Sequence, residues 1–209
     1  TDGFHNWCDP VKNGWSREEL VSQGEAMLNF ANAIRVGRKN GDVDTGRWET
    51  FLRKACDVHA ERILVDDWRP RSTDEGFFIA PLCAGARLFN TDRFRRAAVK
   101  AGRTYAERHL SMSEPYWGGT LDARCEDKEG AYAAMQGFTA LYELTGEEEF
   151  LRWAEHALDV VLSYDVDWDI PLPPGRLSSH RFRTRGWTAV SPQNQHIDVF
   201  GVLIAPDVY

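Results

Sequence analysis

The sequence predicts an all-α fold of antiparallel helix hairpins that form part of an α/α toroid. Apolar residues recur at helical spacing in six successive segments, and segments that are apolar on most sides alternate with amphipathic ones. The pattern repeats after 56 residues, which pairs Leu88 with Leu144 and Phe94 with Phe150. Helices without a polar face must be shielded on every side. A ring of inner helices inside an outer ring explains this better than an open solenoid, which is the alternative.

The expected helices follow from this periodicity and from residues that begin or end helices. The first begins at the capping box of Ser16 and Glu19, and Gly37 and Gly41 end it. Pro81 either bends the third helix or marks where its regular part starts. The second to sixth helices are expected at 45–64, 75–89, 92–110, 127–144 and 147–164, followed by a Pro-rich loop at 171–174 and a seventh helix beginning near Pro192.

These helices make one domain over residues 1–209. They amount to about three and a half hairpins, and the seventh helix is expected to continue where the chain stops. We therefore expect an incomplete barrel, completed by further sequence or by a partner chain, and a homo-oligomer is one form of that partner. The chain starts at Thr1 rather than Met, which fits a processed N-terminus and leaves its localisation open.

Composition argues against several classes of function. The net charge is −7 and no stretch is dense in Lys or Arg, so nucleic acid and anionic membrane surfaces are poor partners. No apolar run is long enough to span a bilayer. The four cysteines lack CxxC spacing, no HExxH-like spacing is present, and we expect no metal. Without a GxGxxG, P-loop or GxSxG motif, we also expect no cofactor and no serine nucleophile.

Acidic residues gather in the long loops that lead into the inner helices. Such loops lie together at one end of the fold, where binding and catalysis usually occur. One loop ends in Asp74 and Glu75, and a second carries four acids within eight residues, among them Asp127 and Glu129. Helix capping and solvated loop charge are the simpler explanations. In a partly dry site, however, crowded carboxylates would have divergent pKa values, which gives one proton donor and one ionised base.

A third polar segment and several tryptophans suit a ligand rich in hydroxyl groups. Asn194, His196 and Asp198 supply both donors and acceptors, although a structural histidine is the simpler interpretation of His196. On a helix, His196 and Asp198 would not share a face, so they are no obvious metal pair. Trp117 and Trp187 lie in expected loops, where tryptophan either covers a core edge or lines a ligand surface.

Residues 70–165 resemble the six-hairpin glycosidases, among which the unsaturated glucuronyl hydrolases are the most similar group. The resemblance rests on Thr73-Asp74-Glu75-Gly76-Phe77-Phe78, on the turn from Phe89 to Phe94, on the acidic cluster before Gly130 and on the turn from Leu144 to Phe150. In that family, acids just before two successive inner helices protonate the sugar and activate water. The resemblance implies these roles for Asp74 and Asp127, although Glu75, Glu126 and Glu129 flank them here.

The sequence thus leads to the hypothesis of a glycoside hydrolase acting on an oligo- or polysaccharide, with a substrate that contains uronic acid as one option. Asp127 or a neighbour such as Glu129 would be the acid, and Asp74 or Glu75 would activate water. Arg124 would hold a substrate carboxylate, and Trp117 and Trp187 would stack on sugar rings. The alternatives are a polysaccharide lyase or sugar epimerase on the same toroid, with His196 or Tyr116 as base in a lyase, and a non-catalytic helical-repeat binding module.

Overall fold

A computed structural model describes most of the chain and confirms the all-α prediction. The described residues are 8–9, 11, 14–15, 21–41, 43–70, 73–109, 128–191, 196–199 and 201. Six long helices dominate them: α1 (Val21–Asn40), α2 (Gly46–Ile63), α3 (Ile79–Phe89), α4 (Asp92–His109), α5 (Lys128–Thr145) and α6 (Glu148–Leu162). A short helix, α7 (Arg176–Ser179), and two small antiparallel strand pairs complete them, with β1 (Cys8–Asp9) on β2 (Gly14–Trp15) and β3 (Thr188–Ala189) on β4 (Ile197–Asp198).

The long helices pair into three hairpins, α1 with α2, α3 with α4 and α5 with α6. Across the hairpins, α3 packs against both α1 and α5, while α2 packs against α4. The two helices that were expected to be apolar on most sides, α3 and α5, therefore form an inner layer together with α1. The other long helices, α2, α4 and α6, lie outside them. Closure of these layers into a ring stays a prediction.

The repeat of 56 residues is visible in the structure at the turns between the helices. Asn90 and Gly146 follow α3 and α5 at equivalent positions, and both have positive φ, 49° and 75°. A left-handed residue ends a helix by satisfying its last carbonyl groups, and Asn and Gly adopt this conformation most easily. Phe94 and Phe150 are each the third residue of their outer helix and are fully buried. The repeated unit is thus one hairpin with its turn.

The third helix begins in two stages, as Pro81 predicted. A 3-10 helix spans Thr73–Phe78 and the α-helix starts at Ile79. Pro81 lies in the first turn of α3, where a missing N–H breaks no helical hydrogen bond. Nearly every residue from Glu75 to Ala86 is buried, which explains why this segment has no polar stripe.

Two expectations about helix ends were wrong. Helix α1 runs through Gly37 and ends only before Gly41, whose φ is +77°. Gly37 is needed because the segment that follows α1 packs closely against it, so that a side chain at Gly37 would meet Thr45 Cγ2 at 2.6 Å. The seventh helix expected near Pro192 is replaced at 197–198 by β4, which pairs with β3. The capping box at Ser16 lies outside the described residues. Within those residues, no helix is both long and apolar enough to cross a membrane.

Candidate functional site at the loop end of the inner helices

The inner helices all begin at the same end of the molecule. A side chain at Gly24, near the start of α1, would lie 2.5 Å from the backbone oxygen of Phe77, just before α3. A side chain at Gly76 would lie 3.1 Å from Cβ of Ala133, near the start of α5. The N-termini of α1, α3 and α5 are therefore neighbours. We call this end the loop end and the opposite end, where inner helices turn into outer ones, the short-turn end.

Glu75 is buried at the loop end and bound to the outer layer. Its Oε1 accepts a hydrogen bond from Arg62 Nη1 of α2 at 2.8 Å, and the Glu75 side chain is only 6% exposed. Its second oxygen, Oε2, is buried and has no hydrogen-bond partner among the described residues. These contacts join the 3-10 helix to α2. Such contacts are typical of a structural ion pair, whereas a catalytic base would be open to the substrate.

His59 completes this buried network as an uncharged ring. Burial, and secondly the positive charge of Arg62, lower the pKa of His59 to about 3. The ring stacks on Phe78 with 4.0 Å between centroids, and Nδ1 lies 3.2 Å from Arg62 Nη2. Since Arg62 only donates hydrogen bonds, Nδ1 is the acceptor and the proton of the neutral ring is on Nε2.

Lys128 joins the predicted third polar segment to the start of α5. Its side chain is fully buried, and Nζ lies 2.6 Å and 2.7 Å from the two carboxylate oxygens of Asp198. Thr188 Oγ1 accepts a hydrogen bond from Nζ at 3.1 Å and donates one to Asp198 Oδ1 at 2.8 Å. The Lys128 backbone N–H also donates to the carbonyl oxygen of Val190 at 3.0 Å. The β3–β4 pair is thereby held at the loop end, one residue along the chain from Asp127.

Two carboxylates on different inner helices interact at the loop end. Glu25 of α1 and Glu129 of α5 are both half-buried. The pKa of Glu25 is raised above its ordinary value, first by burial and secondly by the negative charge of Glu129. Glu129 was predicted from the sequence, and Glu25 was not. Helical spacing could have indicated Glu25, because it lies three residues before Leu28 and residues three apart share a helix face.

A groove lies further along the inner helices, towards the short-turn end. It has a volume of about 300 Å³ and lies on the inner layer. We call it the inner groove; its lining includes Asn32 and Arg35 of α1, Ala84 and Arg87 of α3, and Ala140 and Glu143 of α5. Glu25 lies seven residues before Asn32, and Glu129 lies seven residues before Gln136, another residue that lines the groove. Residues seven apart share a helix face, so each acid lies on the groove side of its helix, about 10 Å along the helix axis from that lining residue.

Several predicted site residues lie where the structure gives no side-chain position. Asp127, Trp117, Arg124 and Asn194 are outside the described residues. Asp74 belongs to the 3-10 helix before α3, and only its backbone is described. Their assignment to the site stays a prediction.

Two predicted substrate-binding residues, Trp187 and His196, are described in the C-terminal segment. Trp187 is half-buried, with its ring centroid 4.9 Å from that of Phe182, and its carbonyl accepts a hydrogen bond from Val166 at 2.8 Å. His196 is exposed just before β4. Both belong to the segment that Lys128 ties to the loop end.

Comparison with known proteins adds no relative. No protein-family model matches the chain, and no curated protein sequence matches it significantly. Among the described residues, no group of three or more His, Cys, Asp or Glu side chains could hold a metal ion.

Proposed function

We propose that this protein is a carbohydrate-active hydrolase of the α/α-toroid type, with its acid/base chemistry at the loop end. The observation that carries the proposal is the pair of interacting carboxylates, Glu25 and Glu129, on two neighbouring inner helices at the loop end. Glycoside hydrolysis needs one carboxylic acid that protonates the leaving oxygen and one carboxylate that acts on water or on the sugar. The raised pKa of Glu25 supports such a division of roles between the two acids.

The raised pKa of Glu25 suits the proton donor, because a group must stay protonated near the working pH to act as an acid. Glu129 then has the second role, in which its side chain activates water. Asp74, in the 3-10 helix before α3, and Asp127, which directly precedes α5 in sequence, stay the other candidates for these roles. Glu75 is assigned a positioning role, since its ion pair with Arg62 fixes the segment that carries Asp74.

The expected substrate is an oligo- or polysaccharide, with uronic acid units as one possibility to be tested. Trp117 and Trp187 would stack on sugar rings, while Arg124, Asn194 and His196 would bind carboxylate or hydroxyl groups. The attachment of the C-terminal segment to Lys128 supports a contribution of Trp187 and His196 at this end.

The test is a screen of the protein against uronic-acid and neutral glycosides, following reducing ends and the ultraviolet absorbance of unsaturated uronides. We expect hydrolysis of at least one class. Glu25→Gln and Glu129→Gln should each lower kcat by about a hundredfold or more. Glu61→Gln is the matched control, because Glu61 is exposed on the outer helix α2.

Three results would contradict the proposal. Full turnover in both Glu25→Gln and Glu129→Gln would remove the acid pair from the mechanism, and Asp74→Asn and Asp127→Asn would then test the remaining acids. A gain of ultraviolet absorbance would identify a lyase. Saccharide binding without turnover would identify a binding module.

A further inference from the structure

The part of the inner groove that lies towards the short-turn end contains an uncompensated positive charge. Arg87 is paired with Glu143, with 2.9 Å between Nη1 and Oε2, so these two charges offset each other. Arg35 also lines the groove, and it has neither an ion pair nor a hydrogen bond within the described part of the chain. This region therefore has one positive charge in excess, which favours a ligand with an anionic group.

The size and floor of the groove restrict the rest of that ligand. Its volume of about 300 Å³ is at the lower limit for ligand pockets, which suits a group of monosaccharide size. The small side chains of Ala84 and Ala140 leave room above α3 and α5. Beside them, the exposed Asn32 amide can donate and accept, and Thr139 Oγ1, whose proton goes to the Met135 carbonyl, can accept.

We propose that the inner groove is a binding site for a small anionic sugar derivative, whose charged group is bound by Arg35. The guanidinium fork matches the oxygens of a carboxylate or a phosphate, and the ring lies over Ala84 and Ala140 with its hydroxyl groups on Asn32 and Thr139. Arg35 is ten residues after Glu25 on the same helix, about 15 Å along its axis. The site is therefore distinct from the acid pair and does not depend on hydrolysis.

The test is an NMR titration of the ¹⁵N-labelled protein with glucose 6-phosphate, glucuronate, glucose and inorganic phosphate. At least one charged sugar should bind about tenfold or more tightly than glucose, because a hydrogen bond to a charged group is among the strongest available. Arg35→Gln should remove this preference. Arg152→Gln, which deletes an exposed arginine of outer helix α6, should leave the Kd unchanged.

A second variant tests the floor of the groove. Ala84→Leu fills the space above α3 and should weaken binding of the charged sugar while the helical circular dichroism is retained. Preference for glucose 6-phosphate identifies a phosphate ligand, and preference for glucuronate identifies a carboxylate ligand. The proposal is overturned if neither charged sugar shifts any resonance of the groove, if Arg35→Gln binds like the wild type, or if inorganic phosphate binds as tightly as the sugar phosphate.

Discussion

The two ends of the helical layers hold their charges in different ways. At the short-turn end, the side chains of the Arg87–Glu143 pair are 44% and 57% exposed. At the loop end, Lys128 is 0% exposed and Glu75 is 6% exposed within their ion pairs. Exposed pairs contribute little to stability, whereas a buried charge becomes costly once its partner is removed. The structure of the loop end therefore depends on its buried ion pairs, which suits a region that must hold carboxylates in place.

The largest loss of stability is expected at Lys128, the most deeply buried of these charges. Asp198→Asn removes the counter-charge of the fully buried Lys128 and should lower the free energy of unfolding by about 3 to 5 kcal/mol. Glu143→Gln breaks the exposed pair with Arg87 and should change it by less than about 1 kcal/mol. Urea unfolding at neutral pH measures both. Equal losses in the two variants would remove the distinction between the ends.

The buried histidine gives a second, pH-dependent difference. The pKa of His59 is lowered to about 3 in the folded protein, so the unfolded chain binds a proton first as the pH falls below the ordinary value of 6.5. His59 therefore contributes stability above pH 6.5 that is lost on acidification towards pH 3, by up to about 1.4 kcal/mol per pH unit.

His59→Phe tests this contribution, because it keeps a ring against Phe78 and removes the titrating group. The free energy of unfolding should then fall less steeply between pH 6.5 and pH 3 than in the wild type. His180→Gln alters an exposed histidine and serves as the control. A slope that is unchanged in His59→Phe would mean that the buried ring titrates normally.

A smaller effect is expected from the close packing of the inner helices at the loop end. Gly24→Ala places Cβ 2.5 Å from the backbone oxygen of Phe77, so α1 and α3 must move apart, at a cost of about 1 to 3 kcal/mol. Gly175→Ala meets no atom closer than 3.9 Å and should be nearly neutral. Thermal unfolding of both variants provides the comparison. A neutral Gly24→Ala would show that the inner helices are farther apart than described.

Helices were predictable from the sequence because their signals are local. Apolar spacing, Pro81 and the left-handed residues Asn90 and Gly146 act within a few positions, and the predicted bounds of α2 to α6 differ from the observed ones by few residues. The strand at Ile197–Asp198 was missed because distant contacts stabilise it, with β3 and with Lys128. No local pattern indicates such contacts.

The candidate site was predictable only in part, because only some of its residues have a signal that is local in sequence. Glu129 was chosen because acids crowd before an apolar helix, a local signal. Apart from Glu18 and Glu19, Glu25 has no acidic neighbours in sequence, and its raised pKa depends on packing beside α5. Glu75 matched the sequence pattern, yet its contact with Arg62 on another helix points to a structural role. Side chains that approach each other only after folding require the structure.

The interaction between Glu25 and Glu129 can be measured through the pKa of Glu25, by NMR titration of its side-chain carboxyl carbon in the wild type and in Glu129→Gln. We expect a pKa above the ordinary glutamate value in the wild type, and a decrease in the variant because the neighbouring charge is gone. Glu61→Gln should leave it unchanged. An ordinary pKa in the wild type, unaffected by Glu129→Gln, would contradict the interacting acid pair and the catalytic proposal that rests on it.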